Sequence, residues 1–121
     1  MNFVISEKPD HVLVSGSGAF DARMARQGID EAFALCEARG LNRILIDGRE
    51  IATQVSVADR YELGAYLASQ CRLPLRIAFL VSEAHVAFSK AVENTANNRG
   101  VPVITTASAS EAWEWLGLPA P

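Results

Sequence analysis

The stretch Arg43-Ile-Leu-Ile-Asp-Gly-Arg49, followed by a polar segment and then by Ser56-Val-Ala-Asp-Arg-Tyr-Glu-Leu-Gly-Ala-Tyr-Leu67, decides the fold. Ile44, Leu45 and Ile46 form an unbroken apolar triplet, as a strand covered on both faces requires, since an alternating pattern would leave one face wet. Asp47-Gly48 ends that strand in this reading, and an amphipathic helix opens at Ser56. Between them Gly48 to Val55 makes a connection of about eight residues, longer than the two to six usual for a strand-to-helix turn. Long connections in compact domains often carry function, so this loop is the expected working site.

Working outward, Phe3–Ser6 and His11–Ser15 read as two short strands joined by Glu7-Lys8-Pro9-Asp10, whose Pro and Asp favour a turn, and they are expected to pair as a hairpin. Gly16-Ser17-Gly18 stops the second strand, and Asp21 is a candidate helix cap. Ala25, Ile29, Ala32, Phe33 and Cys36 then recur at helical spacing up to Gly40, a left-handed terminator. In the helix after Ser56, the expected buried stripe is Val57, Tyr61, Gly64, Ala68 and Cys71, with Leu67 beside it. Leu73-Pro74 closes that helix. Arg76 to Val81 is a second buried strand, followed by Ser82–His85. A third helix uses Phe88, Ala91, Val92 and Thr95 and stops near Asn97-Asn98-Arg99-Gly100. Val101–Thr105 is the last strand, placed toward a sheet edge by Pro102, which has no N–H to donate. Ser108 and Glu111 form a Ser-x-x-Glu capping box ahead of Ala112, Trp113, Trp115 and Leu116.

The order is thus β-β-α-β-α-β-α-β-α in one domain, residues 1–121, with a mostly parallel sheet and one antiparallel strand from the hairpin. Loops following the strands' C-terminal ends should gather on one edge: Gly16 to Phe20, Gly48 to Val55, Ser82 to His85 and Thr106 to Ser108. The chain has 50% hydrophobic and 21% charged residues, the mix of an ordinary globular core. A net charge of -3 supplies no electrostatic footprint for nucleic acid or anionic lipid. No run has the length of a membrane span, and the N-terminal apolar run is too short for a signal sequence, so a cytoplasmic protein is expected. Cys36 and Cys71 belong to no Cys-x-x-Cys or Cys/His cluster and are expected to be reduced, mostly buried thiols.

The whole chain resembles the STAS domain, the anti-sigma-factor-antagonist fold, and more particularly small bacterial proteins similar to both STAS and CRAL-TRIO lipid-binding domains. The pieces carrying the resemblance are the hairpin with Ser15-Gly16, Ile44-Leu45-Ile46-Asp47 before the long loop, Ile77-Ala78-Phe79-Leu80-Val81, Asn98-Arg99-Gly100 and Glu111-Ala112-Trp113-Glu114-Trp115-Leu116. None is a catalytic signature. In sporulation-type members the resemblance implies a protein-binding switch, with phosphorylation of a serine just after an Asp at this strand's end. Here Asp47 is followed by Gly48-Arg49, and Thr53 and Ser56 are the nearest hydroxyls. Ser56 is also an N-cap candidate, with Asp59 in the third helical position.

Other chemistries lack their company. A phospho-accepting role for Asp47, as in receiver domains, needs an acidic pair and a lysine that are absent, so nothing would hold Mg²⁺. In Gly16-Ser17-Gly18 a dinucleotide fingerprint fails because Asp21 takes the third glycine's place. His11 and His85 have no second ligand at metal spacing, so no metal or cofactor is expected. Trp113 and Trp115, two apart on one helix, cannot share a face; one covers the sheet edge or lines an apolar cleft or partner surface. The expectation is a non-catalytic regulatory or protein-interaction module whose surface comprises Asp47, Arg49, Thr53, Ser56 and His85. The alternative is a carrier or sensor of a small apolar ligand or lipid. A homodimer is a further expectation, closed dimers being the commonest oligomers.

Overall fold

A computed structural model describes residues 1–52, 55–72 and 74–119. Its elements are β1 (Asn2–Glu7), β2 (Val12–Gly18), α1 (Ala22–Arg39), β3 (Arg43–Ile51), α2 (Val57–Gln70), β4 (Arg76–Leu80), a 3₁₀ turn (Glu83–His85), α3 (Val86–Asn98), β5 (Val103–Thr106) and α4 (Ala109–Leu116). The five strands lie in the order β1-β2-β3-β4-β5. β1 is antiparallel to β2, and every other pair is parallel. The expected α/β architecture with an N-terminal antiparallel strand is therefore present, and Pro102 stands just ahead of an edge strand.

Sequential strand order has a strong consequence. All three parallel crossovers step across the sheet in the same direction, and with the right-handedness general to such units α1, α2 and α3 fall on one face, where α2 packs against both α1 and α3. α4 follows the last strand and packs on the other face, against β4 and β5. The sheet is wound one way only and has no switch point at which neighbouring crossovers diverge, so the ligand crevice typical of doubly wound sheets has no counterpart here. The cleft described below lies instead between the sheet and its three-helix layer.

Strand alternation sorts the apolar residues to match. Val12, Ile44, Ile77 and Val103 are paired across the sheet and belong to the core under α1–α3 with Ile29, Cys36, Leu67 and Ala96. Leu45, Ala78 and Leu80 belong to the second core with Ala112, Leu116 and Leu118. Helix ends follow local chemistry. Asp21 accepts hydrogen bonds from the Arg23 and Met24 amides, and Gly40, at φ 67°, terminates α1.

Several expectations need correction. β2 runs through Gly16-Ser17-Gly18 instead of stopping there, and β3 continues past Asp47-Gly48 to Ile51. The reason is a bulge: Ser15 pairs with Asp47 but Ser17 with Glu50, so Gly16 opposes both Gly48 and Arg49. The bulge absorbs the polar residues that read as loop and carries the pairing onward. α2 ends at Gln70, with Cys71 as its C-cap, before Leu73-Pro74. Its buried residues are Arg60, Gly64 and Leu67, while Val57 and Tyr61 are 71% and 52% exposed. The inward stripe is rotated from the expected one, because an arginine occupies a position that hydrophobic patterning assigns to solvent. At α4, Ser108 accepts from the Glu111 amide, but Thr106 Oγ1 relays the return: it accepts from the Ser108 amide and donates to Glu111 Oε2 at 3.1 Å. The capping box is therefore closed through a third residue. Trp113 and Trp115 are both half-buried on the α4 side.

Candidate functional site: an apolar cleft under the helix layer

At the C-terminal edge of the parallel strands the three-helix layer stands off the sheet and leaves a cleft of about 140 Å³. Its floor is the row Val14, Ile46 and Phe79 with Phe3 of β1 beside it, and Phe20, Met24, Ile29, Leu63 and Val92 complete the lining. Small residues on α1 create the space. Ala25 and Gly28 both line the cleft, and a methyl group at Gly28 would already touch the Phe3 ring at 3.5 Å. The bulge completes the wall by shifting the phase of β3. Ile51, five residues after Ile46, lines the same cleft, and its Cδ1 lies 3.3 Å from where a Gly16 Cβ would stand.

Three of the four expected edge loops contribute to this cleft, through Gly16 and Phe20, Gly48 and Val55, and His85. Thr106–Ser108 does not, because it leads to the helix on the opposite face. Trp113 is also remote from the cleft: it packs edge-on against the buried His11 ring, centroids 5.1 Å apart, while His11 Nδ1 is 2.7 Å from Asp10 Oδ1. Trp115 stacks under the Arg76 guanidinium at 5.5 Å. Neither tryptophan lines the apolar cleft.

The expected site residues separate into three groups. Asp47 and His85 border the cleft. Arg49 and Ser56 are exposed and outside its lining, and Thr53 lies outside the described residues. Arg49 grips Asp47 in a fork, Nε to Oδ1 at 3.0 Å and Nη2 to Oδ2 at 2.8 Å. Burial pushes the Asp47 carboxyl up, but the hydrogen bonds and charge of Arg49 outweigh it and hold the group below the ordinary carboxylate value. Alternation turns this carboxylate toward the α4 face, where Leu45 and Leu80 also point. Ser56 caps α2, accepting from the Asp59 amide at 3.1 Å.

His85 Nδ1 is hydrogen-bonded to Ser82 Oγ at 2.9 Å within one 3₁₀ turn. This local bond fixes the ring, and among the described residues no carboxylate hydrogen-bonds it, so the pair lacks the third member of a nucleophilic triad. Among the described residues no group of three or more His, Cys, Asp or Glu side chains gathers to hold a metal ion. No described helix is long and apolar enough to cross a membrane.

Sequence reasoning missed Arg60. It is 6% exposed, lines the cleft and donates from Nη2 to the Val55 carbonyl, tying the segment after β3 to the first turn of α2. The available signal was its spacing from Gly64 and Leu67, which places all three on one helical face. Lateral ties hold the helix layer as a unit: Tyr66 donates to Asp30 across α2 and α1, and Arg99, the C-cap of α3, donates to the Tyr61 hydroxyl at 3.0 Å. No protein-family model and no curated protein sequence matches the chain.

Proposed function

We propose that this chain is a STAS-like domain acting as a non-catalytic sensor or carrier that takes a small apolar molecule into the cleft between the sheet and α1–α3. The observation that carries this reading is the cleft itself, about 140 Å³ and lined by Phe3, Val14, Ile46 and Phe79. An apolar cavity of nearly this size holds benzene in another protein, so the fitting body is one ring or about six carbons, not a long acyl chain. Burying six such groups contributes about 5 kcal/mol, near the value for millimolar affinity before ordering costs are subtracted. Apolar contact alone therefore gives weak binding, and the test needs millimolar probes.

Titration with benzene, followed by backbone amide shifts, is expected to move the signals of Val14, Ile29, Ile46 and Phe79. Ala25→Phe, which fills the cleft from α1, should fold and lose the response. A wild-type spectrum unmoved by benzene overturns the reading.

A protein-interaction role at the start of α2 has its own support. Val57 and Tyr61 stand exposed one turn apart beside Ser56, and apolar side chains on an outer helical face suit a partner protein. In the combined proposal, occupancy of the cleft through Val55 and Arg60 changes this adjoining face. A partner retained by wild type and lost on Val57→Asp would support that arm; equal retention would remove it.

A further inference from the structure

We infer that the ligand is a small monocarboxylic acid, its apolar body in the cleft and its carboxylate received at the mouth by Arg60 and His85. This rests on the cleft reading above and adds the ligand's charge. Binding pockets are mostly apolar with a few placed polar groups that orient the guest. Here the residues lining the cleft include Arg60, His85 and Ser89 among mostly apolar neighbours. Arg60 is 6% exposed, and its bond to the Val55 carbonyl fixes it beside the space it lines. A cation held in such apolar surroundings interacts strongly with an incoming anion, and the planar guanidinium matches the two oxygens of a carboxylate. His85, anchored through Nδ1 to Ser82, is a second polar residue in the lining, with its other ring nitrogen left for a ligand in this proposal.

The surrounding charges agree. Among the described residues Asp47 is the acidic one lining the cleft, and Arg49 pairs with it while alternation turns it to the other face. Helices α2 and α3 both begin at this edge, at Val57 and Val86, so the positive ends of two helix dipoles add to Arg60. The volume limits the body: with room for about six carbons, the acid is a ring acid or a short branched or linear one, its head left at the mouth.

The probes are benzoate against benzamide, and hexanoate against hexanamide, each pair nearly equal in shape and different in charge. Amide-shift titrations of wild type are expected to give dissociation constants at least tenfold lower for the acids, with shifts at Gly16, Gly48, Val55 and Arg60. Arg60→Gln should reduce the acid-to-amide ratio to near one, whatever the change in amide affinity. If that variant does not fold, His85→Gln is expected to narrow the ratio at least threefold. Equal binding of acid and amide overturns this inference and leaves the cleft reading standing. So does an acid preference that survives in every folded variant. Binding of neither the charged nor the neutral probes overturns the cleft reading itself.

Discussion

Gly64 of α2 lies against Thr95 of α3 so closely that a methyl group at Gly64 would stand 2.9 Å from Thr95 Cβ and 3.0 Å from the Val92 carbonyl oxygen. A glycine inside a helix normally costs about 1 kcal/mol relative to alanine. Here the close approach reverses the sign. Gly64→Ala is expected to destabilise by about 1 to 3 kcal/mol, the cost of overpacking at a contact with backbone on one side. Gly28→Ala supplies the contrast, because its added methyl would meet only the Phe3 ring at an ordinary 3.5 Å. Urea denaturation should lower the midpoint for the first variant and leave it unchanged or raised for the second. Equal effects would mean that α2 and α3 are not held at this distance in solution.

The Asp47–Arg49 pair predicts a pH dependence. The folded-state pKa of Asp47 is below its ordinary value of 3.8. Its contribution to stability is complete above the unfolded value and disappears as pH falls through the folded one. The Arg49 side chain is 49% exposed, so solvent screening limits the pair to about 0.5 to 1 kcal/mol. Asp47→Asn should therefore lower the melting temperature by a constant small amount between pH 5 and 8. That difference should close below pH 3.8. A gap that instead opens on acidification contradicts the assignment.

Cys36 is fully buried, and burial together with the neighbouring Cys71 pushes its thiol up to about 11. At pH 8 the thiolate fraction is then roughly one in a thousand, and the thiolate is the reacting species. In the folded protein iodoacetamide should label the half-buried Cys71 first and leave Cys36 unmodified until unfolding. In urea without reductant both should react. Peptide mass spectrometry reads both results, and rapid native labelling at Cys36 would show that α1 opens readily.

The alternation of strands and helices was legible because its signals are local. Apolar triplets such as Ile44-Leu45-Ile46 mark doubly covered strands, and Asp21, Ser56 and Gly40 mark helix ends through their own side chains or freedom at positive φ. The cleft was not legible, for three reasons. The bulge opposite Gly16 depends on two strands meeting in one register, which neither sequence segment encodes alone. Arg60 faces inward against its polarity, so pattern reading turned α2 toward Val57 and Tyr61 instead. The space also depends on small residues at Ala25 and Gly28 lying above a particular row of the sheet. Of the expected surface, Asp47 and His85 border the cleft, because they sit near the C-terminal end of a parallel strand or follow one; Arg49 and Ser56 lie outside its lining.

Ser56 links the stability of α2 to the cleft mouth. Its hydroxyl accepts from the Asp59 amide, while Val55 before it and Arg60 after it both line the cleft and are joined by the Arg60–Val55 carbonyl bond. Ser56→Ala removes the cap and should cost about 0.5 to 2 kcal/mol. Ser56→Asp keeps an accepting oxygen and suits the helix dipole, but places a second carboxylate near Asp59, so it should retain most of the cap and lose only a few tenths of a kcal/mol. Fraying in the alanine variant should be local. Hydrogen exchange is expected to accelerate at Asp59 and Arg60, benzene affinity to fall two- to fivefold, and exchange in the sheet strands to slow or quicken only with global stability. An aspartate variant as destabilised as the alanine one would show that the Ser56 hydroxyl does something other than cap. An alanine variant with unchanged exchange at Arg60 would show that the Val55 carbonyl holds this turn without it.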